Sequence, residues 1–132
     1  MSGEPKARTR ILVVDDVPAI GRAVKRLLKL QCDVEIAVSA EEGLARIASQ
    51  PAYDVVFCDY SMPAMTGGEF AGHLDMDMQH RLVFVVGNPG GLPDLVRGLA
   101  PIVVAKPFTR TDLLVAASEV LARRASEADA AD

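Results

Sequence analysis

The chain has 132 residues, half of them apolar and 24% charged, with 18 acidic against 14 basic side chains for a formal charge of −4. That length suits one domain with its own core, and ten glycines with eight prolines are too ordinary a share for a collagen-like, low-complexity or wholly disordered chain. No apolar run exceeds about five residues where a membrane-spanning helix needs roughly 20, and the opening MSGEPKARTR has no apolar stretch of the secretion-signal kind, so a soluble, cytoplasmic protein with no membrane partner is expected.

The first β-rich stretch, Ile11 to Val14, runs into the acidic pair Asp15-Asp16. Pro18 suits a first helical turn, and Ile20, Val24, Leu27 and Leu28 then follow the spacing of one buried helix stripe. Arg22, Lys25, Arg26 and Lys29 fall on one side of that helix, the ordinary look of a solvated face. A second stretch, Val34 to Val38, precedes a capping box of Ser39 and Glu42, a stripe of Leu44, Ile47 and Ala48, and a stop at Pro51. The third, Asp54 to Cys58, leads to Asp59, after which one helix led by Phe70 and Leu74 is expected from Gly68 to Gln79.

The fourth stretch, Leu82 to Val86, is followed by Asn88-Pro89-Gly90-Gly91, loop chemistry that leaves only Leu92 to Leu99 for a short or irregular fourth helix. The fifth, Ile102 to Ala105, ends on Lys106-Pro107. A last helix starts at Thr109, with Asp112 completing a second capping pattern and Leu113, Leu114, Ala117, Val120 and Leu121 on one face. Residues 1–9 and the acidic tail 126–132 read as flexible ends around one domain spanning 10–125.

All five stretches are nearly continuous apolar runs rather than alternating ones, the pattern of strands buried on both faces, and helical intervals separate them. The βαβαβαβαβα order then predicts a doubly wound parallel sheet. In such sheets ligands bind beyond the carboxyl ends of the strands, near the point where strand order reverses. The polar residues that end the strands are Asp15 and Asp16, Asp59, and Lys106, so three carboxylates and one ammonium share a rim. Clustered carboxylates repel, a divalent cation neutralises them, and oxygen ligands with room for water favour Mg²⁺. A carboxylate beside such a cation and a lysine is equipped to attack a phosphoryl group, giving an acyl phosphate with Asp59 as nucleophile and Lys106 as counter-charge.

The segments ILVVDD (Ile11 to Asp16), DVVFCDYSMPAMTGGE (Asp54 to Glu69) and AKPF (Ala105 to Phe108) resemble the receiver domain of two-component response regulators, over nearly the whole chain. The resemblance implies a flavodoxin-like (βα)5 fold with strand order 2-1-3-4-5. It implies a signalling protein rather than an enzyme: Asp59 would accept a phosphoryl group from a histidine kinase or a histidine phosphotransfer protein, and the chain would act on a downstream target protein. It assigns Mg²⁺ to Asp16 directly with Asp15 assisting, to Asp59 and to the backbone carbonyl of Ser61, and the phosphoryl oxygens to Lys106. Pro107 resembles the family's cis proline.

Two positions depart from the family. Its hydroxyl residue at the end of strand four, which bonds the phosphoryl group, is matched by Val86, and its aromatic switch three residues before the lysine by Val103. Gly87 and Asn88 remain as phosphoryl-binding candidates beside Val86, and a slip of one residue in FVVGN is open. A degenerate receiver that works as a phosphorylation-independent interaction module is therefore the alternative reading. A haloacid-dehalogenase-type hydrolase is disfavoured because Val17 and Pro18 follow Asp16 without a D-x-D motif, and no G-x-G-x-x-G follows the first strand.

The remaining features read more plainly. Cys32 and Cys58 lack disulfide or zinc spacing and read as reduced, buried thiols; His73 and His80 read as exposed, without a paired ligand. Met62, Met65, Met76 and Met78 read as loop and core packing. The acidic balance, the isolated Arg123-Arg124 pair and six aromatics remote from the basic residues argue against nucleic acid as a partner. Self-association as a homodimer is left open.

Overall fold

Strands made of Val, Ile, Leu and Phe on both faces need cover above and below, and the chain supplies it. The computed structural model, which describes residues 8–49 and 52–131, holds five strands: β1 (Thr9–Val14), β2 (Cys32–Ala37), β3 (Val55–Asp59), β4 (Leu82–Val86) and β5 (Ile102–Ala105). They form one parallel sheet of order β2-β1-β3-β4-β5, the flavodoxin-like arrangement expected. The helices are α1 (Pro18–Leu28), α2 (Ala40–Ser49), α3 (Gly67–Gly72), α4 (Met76–Gln79), α5 (Asp94–Arg97) and α6 (Arg110–Ala131), with a 3-10 turn at Pro89–Gly91. None of the described helices is long and apolar enough to cross a membrane.

Alternation along the strands splits the core into two layers. Ile11, Val13, Val55, Phe57, Val83, Val85, Ile102 and Val104 pack on one side with Val24 and Leu28 of α1 and with Leu113, Ala117 and Val120 of α6. Leu12, Val14, Val56, Cys58, Leu82, Phe84 and Val86 pack on the other with Ala40, Phe70, Met78 and Leu92. Helices dock where side chains vanish. A Cβ added at Gly21 would lie 2.6 Å from Ile36 Cγ2, and one at Gly43 would lie 2.8 Å from Val14 Cγ2, so α1 and α2 approach the sheet more closely than any larger residue permits. Emptying this interior is expensive: Phe57, fully buried, is worth about 3–5 kcal/mol against Ala.

Three elements differ from the sequence expectation. The single helix over Gly68 to Gln79 is two, because the Asp75 side chain accepts the Met78 N–H (2.9 Å) and starts a new helix with its own backbone extended. Gln79 Nε2 donates to the carbonyls of Ala71 and Leu74, binding the two short helices across the break. Phe70, Leu74 and Met78 keep a four-residue step and all reach the same layer, which is why the pattern reads as continuous. The fourth helix contracts from Leu92–Leu99 to Asp94–Arg97, started by Pro93.

The last helix runs on to Ala131, through most of the segment expected as a flexible tail, as its Ala- and Glu-rich composition favours. Of the expected flexible start, residues 1–7 lie outside the described residues, as does Pro51, while Thr9 already opens β1. The capping boxes form: Thr109 with Asp112 in full, and Ser39 Oγ accepting the Glu42 N–H (3.0 Å) while Glu42 reaches back to the N–H of Val38.

Candidate functional site

Strand order reverses between β2-β1 and β1-β3, and the loops after β1 and β3 open a crevice there. The structure brings Asp15, Asp16 and Asp59 into it with one ligand oxygen from each, all within 4.8 Å of one another. Asp15 is 1% exposed and both its oxygens are engaged. Oδ1 accepts the Val17 N–H (2.9 Å) at the start of α1, and Oδ2 lies 3.4 Å from Lys106 Nζ. Asp16 is half-buried and opens toward solvent.

Asp59, 6% exposed, closes β3. Its Oδ1 accepts the Ser61 N–H (3.2 Å) and lies 3.6 Å from Lys106 Nζ; Oδ2 accepts no hydrogen bond among the described residues. Burial raises the Asp59 pKa above the ordinary carboxylate value and the Asp15 charge adds to it, while the Ser61 N–H and Lys106 pull the other way without cancelling the rise. Lys106 reaches the rim because its N–H still donates to the Val86 carbonyl (2.9 Å), extending the β4-β5 ladder by one residue, before the cis Lys106-Pro107 bond turns the chain.

Three carboxylates against one ammonium leave the crevice with an excess of negative charge. The donor set is all oxygen, one carboxylate is solvent-facing, and the most buried carboxyl without full compensation is Asp59. Those are the features of a hard divalent-cation site that keeps several waters, so the residues present fit Mg²⁺.

The residues after β4 need correcting. Val86 is 5% exposed and packs in the layer of Phe84 and Leu92, not toward Asp59. Val55 and Phe57 share the opposite layer with Val83, Val85, Ile102 and Val104, so Asp59, Gly87 and Lys106 continue that face by alternation. The rim position is therefore Gly87, one residue beyond Val86, and Val86 offers the rim no side chain. A Cβ added at Gly87 would meet nothing within 4 Å. Asn88 is exposed and accepts the Gly91 N–H through its backbone carbonyl (2.9 Å). Val103 is half-buried, paired in register with Phe84 and packed on the Val86 layer.

Other expectations resolve simply. Cys32 and Cys58 are free and buried; burial, then the charges of Asp59 and Asp15, push the Cys58 thiol far up, leaving it an unreactive neighbour of Asp59. His73 and His80 are exposed, and His80 pairs with Glu127 (3.2 Å) at the amino end of β4, away from the rim. Met62 and Met78 are buried and Met65 packs against the core layer that holds them, whereas Met76 is 68% exposed. Arg22, Lys25, Arg26 and Lys29 are solvated. The sequence reading missed Tyr60 and the Thr66–Glu69 capping box at α3; the box was legible in TGGE, the role of Tyr60 was not.

The description that matches this arrangement is response regulator receiver domain, over residues 11–118, and the chain belongs to that family. Among curated proteins it is 29% identical to the cell cycle response regulator CtrA of Brucella ovis and equally to that of Brucella suis biovar 1, each over 119 residues, 87% of this chain and 50% of the relative. The chain thus spans about half the length of these curated relatives. Among solved structures, a CheY-like receiver domain protein from Methanospirillum hungatei JF-1 is 30% identical with a TM-score of 0.75, covering 92% of this chain and 99% of that one. Vibrio cholerae chemotaxis protein CheY4 is 29% identical with a TM-score of 0.74, covering 86% and 99%.

Proposed function

We propose that this chain is a phosphorylatable receiver of two-component signalling in which Asp59 takes the phosphoryl group from the phosphoimidazole of a histidine kinase or histidine phosphotransfer protein. The observation that carries the reading is the convergence of Asp15, Asp16, Asp59 and Lys106 on one crevice from three different strand ends. Asp59 Oδ2, which accepts no hydrogen bond among the described residues, is the attacking atom: a new O–P bond forms, the donor's N–P bond breaks, and the electron pair returns to the imidazole nitrogen. The Ser61 N–H and Lys106 hold Oδ1 and fix the orientation of the carboxyl.

Asp15 keeps Lys106 aimed at the crevice while its other oxygen is spent on α1. Asp16, Asp59, Asp15 and the Ser61 carbonyl would hold Mg²⁺, which when bound supplies charge neutralisation for the approaching phosphoryl oxygens. Gly87 offers no hydroxyl to those oxygens and Val103 no aromatic ring, so any conformational response takes a route other than the family's usual pair. That departure is also what favours the second reading, an interaction module indifferent to phosphorylation; the intact acidic rim favours the first.

A phosphohistidine donor domain labelled on phosphorus tests the proposal. Label passes to the wild-type chain with Mg²⁺ present, and transfer collapses on chelation of the metal or in Asp59→Asn. Equal transfer into Asp59→Asn overturns it.

A further inference from the structure

The residue that follows the acceptor touches two elements at once. The Tyr60 N–H donates to the Val85 carbonyl (3.0 Å) and the Tyr60 carbonyl accepts the Gly67 N–H (2.7 Å), so its backbone bridges β4 and the start of α3. Its ring stands edge-on to Phe84, with centroids 5.3 Å apart and planes at 86°. Nothing separates α3 from that ring pair: a Cβ at Gly67 would fall 2.9 Å from Tyr60 Cδ2 and 3.0 Å from Phe84 Cδ1. At the next residue, a Cβ on Gly68 would meet Tyr60 Oη at 3.2 Å and Val96 Cγ2 at 3.7 Å, so the tip of Tyr60 and the middle of α5 converge on one point of α3. The hydroxyl has no hydrogen-bond partner among the described residues.

Helix α5 is weakly held. It has four residues, none of them buried, and Leu95 and Leu99 are 82% and 76% exposed. Elements with so few buried contacts change position at small cost. The Ser61 N–H to Asp59 Oδ1 bond spans Tyr60, so a change at the Asp59 carboxyl acts on the peptide groups at both ends of Tyr60.

We propose that Tyr60 is the lever by which the state of Asp59 reaches α5, its ring carrying displacement of the 59–61 turn across Phe84 and Gly67 to Gly68 and Val96. This rests on Asp59 being the acceptor, and goes beyond it by naming the relay. Packed contacts of this kind switch between discrete arrangements rather than deform continuously.

The chain has only two tyrosines, which makes the test direct. Tyr53 is fully buried and bonded to Glu35, away from the rim, and serves as the internal control. The full chain is labelled with 3-fluorotyrosine, the Tyr60 signal is assigned by its loss in Tyr60→Phe, and Mg²⁺ with beryllofluoride is added. The Tyr60 fluorine signal moves and the Tyr53 signal stays. In parallel, the methyl shifts of Leu95 and Val96 on adduct formation fall roughly threefold or more in Tyr60→Leu.

A stationary Tyr60 signal, or an undiminished α5 response in Tyr60→Leu, while the Asp59 and Lys106 amides shift, overturns the relay and leaves the acceptor assignment standing. Absence of any shift at Asp59 and Lys106 in the wild type overturns both. Should Tyr60→Leu not fold, the fluorine signal of the unsubstituted chain decides alone.

Discussion

At the residue scale, Asp59 sits where an acid is costly to ionise: buried, beside Asp15, and with Lys106 the one ammonium in reach among the described residues. A carboxyl whose pKa is higher folded than unfolded binds its proton more tightly in the folded state. Its cost to stability is absent below the unfolded value of about 4 and grows as pH rises through the folded value. Asp59→Asn should therefore stabilise the metal-free chain at pH 7, with the gain shrinking toward pH 4, as thermal melts across that range will show. Gly87 gives a second prediction, because a side chain there meets open space. Gly87→Ser supplies the hydroxyl the rim lacks, and a hydrogen bond to a charged group is worth about 1.5–3 kcal/mol, so phosphoryl acceptance from a small acyl-phosphate donor should quicken roughly tenfold. A time course of intact mass measures it, and an unchanged rate would place Gly87 off the phosphoryl path.

At the scale of elements, the outcome followed how local each signal was. The five strands were legible because both-face burial imposes continuous apolar runs, and β4 and β5 match their expected ends, Leu82–Val86 and Ile102–Ala105. Asp15, Asp59 and Lys106 were legible for the same reason, each being the first polar residue after such a run, and Asp16 by standing next to Asp15. The break between α3 and α4 was not, since Phe70, Leu74 and Met78 preserve a helical step across it and a few side-chain bonds, the Asp75 cap and those of Gln79, decide otherwise. Val86 was misassigned to the rim because a one-residue shift flips a strand residue to the other face, and nothing local to FVVGN fixes which residue is last. The cap itself is testable. Asp75→Ala should cost about 1 kcal/mol in denaturant unfolding, and less than half of that would mean that Gln79, bonded to Ala71 and Leu74, holds the break without it.

At the scale of the molecule, two apolar layers fix the sheet while the ends of β1 and β3 gather three carboxylates at one rim against the Lys106 ammonium after β5, so stability and function pull against each other there. A cation that binds only the folded rim should relieve that tension by mass action, adding about 2.7 kcal/mol at a hundred times its dissociation constant. Mg²⁺ should accordingly raise the melting temperature of the wild type and much less that of Asp16→Asn; equal gains in both would remove Asp16 from the site. Intact-mass measurement after incubation with Mg²⁺ and a small acyl-phosphate donor tests most directly whether Asp59 is the phosphoryl acceptor of this rim. The wild-type chain should gain the mass of one phosphoryl group and Asp59→Asn none, whereas a gain in Asp59→Asn equal to that of the wild type would contradict the account.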